Sequence, residues 1–219
     1  MKEHRAATLM VPLCILMAAT ALFRFTNLDL AISALFFSSS KGFYLSDRQP
    51  WKLLYEFGEI PGLLLGLGGL ILFGTGIFLR RASRYRKIGL FLFLFLLVGP
   101  GFLVNGLMKE YWGRPRPCEI IQFNGAKNYL PILAKGTAHE GRSFPSGHAA
   151  IAYVLMAPFF FLANAGRRRH SLAVLGLGLA FGAFVGLARI VQGGHFASDV
   201  LWSAAVIYFT GLALSYLFR

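Results

Sequence analysis

Six stretches of this chain carry no charged residue over 18 to 21 positions: Ala6 to Phe23, Ile60 to Leu79, Ile88 to Met108, Ala149 to Gly166, Ser171 to Ala188 and Val200 to Phe218. An α-helix needs about 20 mostly apolar residues to cross the hydrocarbon core of a bilayer. Six such runs in 219 residues leave little chain for anything else. The expected fold is therefore an all-α membrane protein, a single domain over 1–219 with six transmembrane helices in a bundle. Composition agrees: 56% of the residues are hydrophobic and 14% are charged, against about 25% charged in soluble domains. That excludes a disordered chain, a collagen-like chain and an ordinary water-soluble enzyme. Glycine is frequent inside the runs, at positions 66, 68, 69, 74 and 76 and again at 176, 178, 182 and 186. In membrane helices small residues let backbones approach closely.

Lys and Arg set the expected orientation. Lys2 and Arg5 precede the first run, Arg80 to Lys87 hold five cations, Arg167-Arg168-Arg169 follow the fourth run, and Arg219 ends the chain. With six alternating helices all of these fall on one side, which the positive-inside rule makes the cytoplasm. Both termini are then cytoplasmic. The net charge of +13 reads as this topology signal and as contacts of loops 80–87 and 167–169 with anionic lipid headgroups, not as a nucleic-acid surface. The first run contains Ala19-Thr20-Ala21, which mimics a signal-peptidase site; we read the run as a retained helix. Leu28 to Phe37 is apolar but too short to span, and is expected either as a short interfacial helix in the first outer loop or as a packed connector. Cys14 and Cys118 match neither a disulfide framework nor a zinc spacing and receive no function.

The third loop departs from the charge rule. Lys109, Arg114, Arg116, Lys127, Lys135 and Arg142 all fall on the expected outer side, and cations concentrated there call for an anionic ligand. Three clusters stand at outer helix ends: Lys109 with Arg116-Pro117, Pro145-Ser146-Gly147-His148, and Arg189 with His195 and Asp199. Their residue types suit phosphoryl transfer. Lys109, Arg116 and Arg189 can bind phosphate oxygens and offset charge that develops in the transition state. The start of the fourth helix offers free N–H groups, Gly147 permits close approach, and the Ser146 hydroxyl adds a donor. A neutral imidazole can attack phosphorus. Asp199, four residues after His195, can set its tautomer, which makes His195 the nucleophile. His148 then suits the general acid that protonates the leaving oxygen. The reverse assignment, with His148 attacking, is the alternative that the position of Asp199 argues against.

The three clusters resemble the type-2 phosphatidic acid phosphatase superfamily, whose pattern is Lys-x6-Arg-Pro, Pro-Ser-Gly-His and Arg-x5-His-x3-Asp. The spacing matches in all three parts, although Ala188 stands where the family often has serine before Arg189. The resemblance implies a six-helix lipid phosphatase without a metal requirement or other cofactor, acting on a membrane lipid phosphate through a phosphohistidine. It implies His195, His148 and Asp199 as catalytic residues, and Lys109, Arg116, Ser146, Gly147 and Arg189 around the phosphate. Trp112 to Pro117, Gln122 to Gly125, Gln192 to Asp199 and Gly99-Pro100-Gly101 look like the bacterial lipid A 4′-phosphatase branch. That narrower likeness implies a substrate on the outer leaflet of the bacterial inner membrane, with the site facing the periplasm. Phosphatidylglycerophosphate, phosphatidate and undecaprenyl diphosphate are the alternative substrates.

Outside the family pattern, Arg114 is open between a second phosphate or sugar and lipid headgroups. Lys127, Lys135, His139 and Arg142 read as solvated loop residues. Glu56 and Glu59 read as outer-interface residues of the second helix, with a proton relay the minor alternative. An anion transporter or channel would also use an arginine-lined site, but such folds show internal repeats, and this sequence has none. A lipid-binding scaffold would not need two histidines beside three cations.

Overall fold

The computed structural model describes residues 2–164 and 167–218. The last two residues of the fourth apolar run, the side chains of Lys2 and Arg5, and Arg219 lie outside the described residues. Helix α1 (Lys2–Phe25) leads to α2 (Leu28–Ala34) and a two-stranded antiparallel hairpin of β1 (Phe37–Ser38) and β2 (Gly42–Phe43). Helices α3 (Trp51–Phe57) and α4 (Ile60–Phe78) form one long arm. A 3-10 segment, Arg80–Tyr85, turns the chain into α5 (Arg86–Leu96), a π-helical stretch Leu97–Met108 and α6 (Lys109–Tyr111). After the long third loop come α7 (Gly147–Tyr153), a 3-10 turn, α8 (Ala157–Asn164), α9 (Arg168–Val191) and α10 (Ala197–Leu217).

Among the described residues, five helical stretches are long and apolar enough to cross a membrane: 6–25, 51–78, 80–111, 168–191 and 197–217. The fourth apolar run forms a shorter apolar helix, Gly147–Leu162. Ala149, Ala150, Ala152, Tyr153, Val154 and Met156 are all buried, so this helix is walled by its neighbours rather than by lipid.

Close packing follows from the glycines. Cβ atoms at Gly69 and Gly89 would each lie under 3 Å from the opposite helix: 2.8 Å from the Gly89 carbonyl oxygen in one case, 2.7 Å from the Gly69 carbonyl oxygen in the other. Helices α4 and α5 therefore cross backbone to backbone. At the end of the bundle away from the third loop, Phe91, Phe95, Phe159, Phe160 and Tyr208 pack an aromatic core between α5, α8 and α10, with Phe91 also edge-on to Phe161 at 4.5 Å. Helix α1 docks on α10 through Tyr208 Oη to the Thr8 carbonyl at 2.9 Å and Trp202 Nε1 to Thr20 Oγ1 at 3.1 Å.

The third apolar run is not a regular α-helix throughout. It widens to π winding before Pro100, which has no N–H to donate. Asn105 Nδ2 donates to the Pro100 carbonyl at 2.9 Å, and the wider winding rotates every later residue around the axis, Lys109 included. The segment between α1 and α3 covers the third loop. Phe37, Phe43 and Phe123 form a triangle with ring centroids 5.1 to 5.6 Å apart. Leu28 to Phe37 contains a real helix, α2, and it buries polar residues, Asp29 and Ser33.

Candidate active site

The three clusters converge at one end of the bundle. The Ser146 N–H donates to the Asp199 carbonyl at 3.5 Å, and Ser203 Oγ donates to both the Ser146 and Asp199 carbonyls, at 2.9 and 2.8 Å. Those bonds fix the start of α7 against the start of α10. The Cys118 N–H donates to the Gly193 carbonyl at 3.0 Å, which ties the Arg116 loop to the turn before His195. A Cβ at Gly147 would lie 2.5 Å from Asn105 Oδ1 and 3.0 Å from Lys109 Nζ. The absence of a side chain at Gly147 lets the Asn105 and Lys109 side chains from the π segment and α6 close on the N-terminus of α7. Ser146 is the N-cap of α7, and Pro145 lies just before it.

The cations do not neutralise one another. Lys109 Nζ meets Asn105 Oδ1 at 3.4 Å and interacts electrostatically with Arg116, Arg142 and Arg189, with Glu59 the opposing charge. Arg189 spends one terminal nitrogen on Gln192 Oε1 and lays its guanidinium over the Tyr55 ring at 4.4 Å. A Cβ at Gly194 would strike that guanidinium. Three polar atoms here are buried without a partner among the described residues: Arg116 Nε, Ser146 Oγ and Arg189 Nε. Buried donors are normally satisfied, and these three all come from residues the sequence assigns to a phosphate.

His195 is buried in the short turn between α9 and α10. Its Nδ1 lies 2.6 Å from the Ser143 carbonyl and 3.9 Å from Asp199 Oδ2. A carbonyl only accepts, so Nδ1 carries the proton and Nε2 keeps its lone pair. Burial pushes the imidazole down to about 4, opposed by Asp199, with Arg189 and Lys109 adding to the depression. Asp199 has further tasks. It accepts from Ser143 Oγ at 2.6 Å, from the Phe196 N–H at 2.8 Å and from Arg114 at 2.5 Å. It caps α10 and fixes the segment whose carbonyl orients His195.

His148, in the first turn of α7, is half-buried, and its Nδ1 is 3.2 Å from Glu59 Oε1. The Tyr55 ring stacks on it with centroids 5.1 Å apart. Arg114 serves neither a second phosphate nor headgroups, because it is fully buried. It donates to the Leu130 carbonyl at 2.9 Å, to Ser198 Oγ at 2.9 Å, to Asp199 Oδ1 and, at 2.8 Å, to Asp29 Oδ2. Ser198 completes the link, since its N–H donates to Asp29 Oδ1 at 3.0 Å. Lys127 pairs with Glu119 at 3.2 Å, and Arg142 and His139 share Glu110. The sequence alone did not reveal Ser143, Asp29 or Ser198 as site residues. Asp29 carried a faint signal, as a lone acid in an apolar stretch of a chain with nine acidic residues.

Comparison with known proteins follows the same lines. The model of the PAP2 superfamily matches residues 69–219. A lipid A 4′-phosphatase of Francisella tularensis subsp. novicida is 30% identical over 84% of this chain and 83% of its own length. A lipid A 4′-phosphatase of Rhizobium etli is 34% identical over 60% of this chain and 50% of its own. The phosphatidylglycerophosphatase B of Bacillus subtilis is 29% identical over 70% of this chain and 69% of its own. Among solved structures, that of a transmembrane PAP2 type phosphatidylglycerolphosphate phosphatase from Bacillus subtilis superposes with a TM-score of 0.57, covering 97% of this chain and 98% of that one at 23% identity.

Proposed function

Since the chain belongs to the PAP2 superfamily and is a membrane lipid phosphatase, we propose that it removes the 4′-phosphate of lipid A through a phosphohistidine on His195. The observation that carries the phosphate site is the trio of buried donors without a partner among the described residues, Arg116 Nε, Ser146 Oγ and Arg189 Nε, beside the ammonium of Lys109. A bound phosphate would satisfy all of them. An exposed anion path would leave them hydrated instead.

The reaction runs in two balanced steps. The lone pair of His195 Nε2 attacks phosphorus, the bond from phosphorus to the lipid oxygen breaks, and its electron pair stays on that oxygen. His148 gives the oxygen a proton, releasing a lipid alcohol. Neutral His148 then takes a proton from water as the water oxygen attacks phosphorus. The P–N bond breaks, its electrons return to His195, and inorganic phosphate leaves. Lys109, Arg116, Arg189, Ser146 and the backbone at Gly147 neutralise the charge on the non-bridging oxygens. Asp199 and the Ser143 carbonyl hold His195 with Nε2 forward.

Lipid A is favoured as substrate by the relatives of that name. Phosphatidylglycerophosphate is the second reading, supported by the phosphatidylglycerophosphatase B relative. In this proposal the helix Gly147–Leu162 is the sixth span, both termini are cytoplasmic and α2 lies at the outer interface. The site faces the periplasm from the inner membrane, and loops 80–87 and 167–169 meet anionic headgroups.

The test is phosphate release by the purified protein, in detergent with a chelator, from lipid A, phosphatidylglycerophosphate, phosphatidate and undecaprenyl diphosphate. Wild-type protein is expected to release phosphate from lipid A best. His195→Ala should lower the rate roughly 1,000-fold or more, as loss of a nucleophile does. Trapped phosphoenzyme should survive in His148→Ala and vanish in His195→Ala. Preference for another lipid would overturn the substrate, and no release from any of the four would overturn the phosphatase reading.

A further inference from the structure

His148 sits among positive charge. Lys109, Arg116, Arg189 and His195 all act on it electrostatically. A general acid must carry a proton at the moment the lipid oxygen leaves, and a second positive ring beside three cations has to be offset locally. Among the described residues, one carboxylate stands within ion-pair distance of this ring. It is Glu59, with Oε1 3.2 Å from His148 Nδ1. It lies on the long arm of α3 and α4, just before Ile60, and outside the 69–219 stretch that the family model matches.

The surrounding geometry holds this pair in place. Gly58 is buried, and a Cβ there would lie 2.7 Å from a Val185 methyl on α9. Gly62 lies against the Ile151 carbonyl of α7, where a Cβ would come within 2.0 Å. The arm therefore closes on α9 and α7 on either side of Glu59. One turn earlier, Tyr55 lies between two site residues, stacked on His148 at 5.1 Å and under the Arg189 guanidinium at 4.4 Å. Both side chains are half-buried or more exposed, so neither is needed to fill the core.

We propose that Glu59 is the positioning residue of the acid–base histidine, with Tyr55 as the plate that fixes the ring plane. This rests on the phosphatase reading and adds to it a carboxylate–histidine pair that lies outside the three sequence clusters. The Glu59 carboxylate accepts the Nδ1–H of His148. That leaves the Nε2–H directed at the leaving oxygen and stabilises the imidazolium. When Nε2 has given up its proton, Nδ1 keeps its own, and the lone pair on Nε2 can accept a proton from water. The two histidines thus have separate partners: Glu59 for His148, and Ser143 with Asp199 for His195.

Substrates that differ in leaving group test this. A lipid phosphate leaves as an alkoxide and needs an acid. The p-nitrophenolate of p-nitrophenyl phosphate is stable without one. The ratio kcat/KM reports steps only through the first irreversible one, here transfer of phosphorus to His195. Glu59→Gln is expected to lower kcat/KM roughly 10- to 100-fold on lipid phosphate, while kcat/KM on p-nitrophenyl phosphate stays within about threefold. Glu59→Asp should recover part of the loss. In a His148→Ala background Glu59→Gln should add little, because the two act as a unit. Equal losses on both substrates, or independent losses in the double variant, would make Glu59 structural and overturn the proposal. Unchanged kinetics in Glu59→Gln, with an active wild type, would overturn it and leave the phosphatase reading standing. A wild type inactive on both substrates would overturn the phosphatase reading, and this proposal with it.

Discussion

At the scale of single residues, the two histidines differ most in their partners. His195 is buried, with a carbonyl 2.6 Å from Nδ1. Its imidazole is pushed down to about 4 from the ordinary 6.5. A depressed histidine is neutral above its folded value, and the neutral form is the nucleophile. The acid limb of kcat/KM should therefore fall through about pH 4 and not through 6.5. A pH–rate profile on a lipid phosphate checks this, and an acid limb near 6.5 would contradict it. The same shift bears on stability. The unfolded chain takes up a proton below pH 6.5 that the folded state refuses until about 4. The contribution is whole above pH 6.5 and is lost as pH falls toward 4. Much of this site could be read from the sequence, because Lys109, Arg116, Ser146, His148, Arg189, His195 and Asp199 stand at fixed spacings. Their second partners could not. Ser143 is 56 residues from Asp199 and 52 from His195, and Glu59 is on a different helix from His148. No local pattern encodes pairs that meet only after packing.

At the scale of elements, the decisive unit is the link between α2, the third loop and α10. A seven-residue helix with no long apolar face would be a marginal connector by itself. Here Asp29 anchors it, through Arg114 and Ser198, to the first turn of α10, where Asp199 stands. Arg114 places four hydrogen bonds on three segments, and the ring of Phe196 lies under its guanidinium at 4.4 Å. Removing one partner of a buried ion pair leaves the other uncompensated, which costs roughly 3–5 kcal/mol. Arg114→Ala should therefore lose stability of that order in a detergent melt, and activity with it. Arg114→Lys should not restore either, because one ammonium cannot serve three segments. Asp29→Asn should lower kcat through Asp199, although Asp29 touches none of the motif residues His148, Lys109, Arg116 or Arg189. An Arg114→Ala protein that melts like wild type would refute the link. Uncharged run length located the five long apolar helices, since runs of that length have few alternatives. It did not find the π winding at Leu97–Met108 or the interior position of α7, because apolar runs look alike whether lipid or protein surrounds them.

At the scale of the whole molecule, the distribution of charge and of thiols makes sidedness testable with the native chain. The candidate site gathers at one end of the bundle. Arg86 and Lys87 share a recess with Leu217 and Phe218 at the other. If the positive-inside rule governs, the site end faces out. The chain has two cysteines, and both are free and exposed. Cys14 sits within the apolar stretch 6–25, where a water-soluble reagent has no access. Cys118 lies in the third loop beside Arg116, its residue open to solvent on one side; partial desolvation by the packed side pushes its thiol up, with Glu119 adding to the rise. A charged, membrane-impermeant maleimide should therefore label Cys118 in intact spheroplasts, faster as the medium is made more alkaline. Cys118→Ser should abolish that label. In the Cys118→Ser background, Ser83→Cys places a thiol in the 80–85 turn, and it should react only after the membrane is permeabilised. Labelling of Ser83→Cys in intact spheroplasts, with Cys118 silent, would invert the molecule. The phosphate site would then face the cytoplasm, and a lipid on the outer leaflet could not be its substrate.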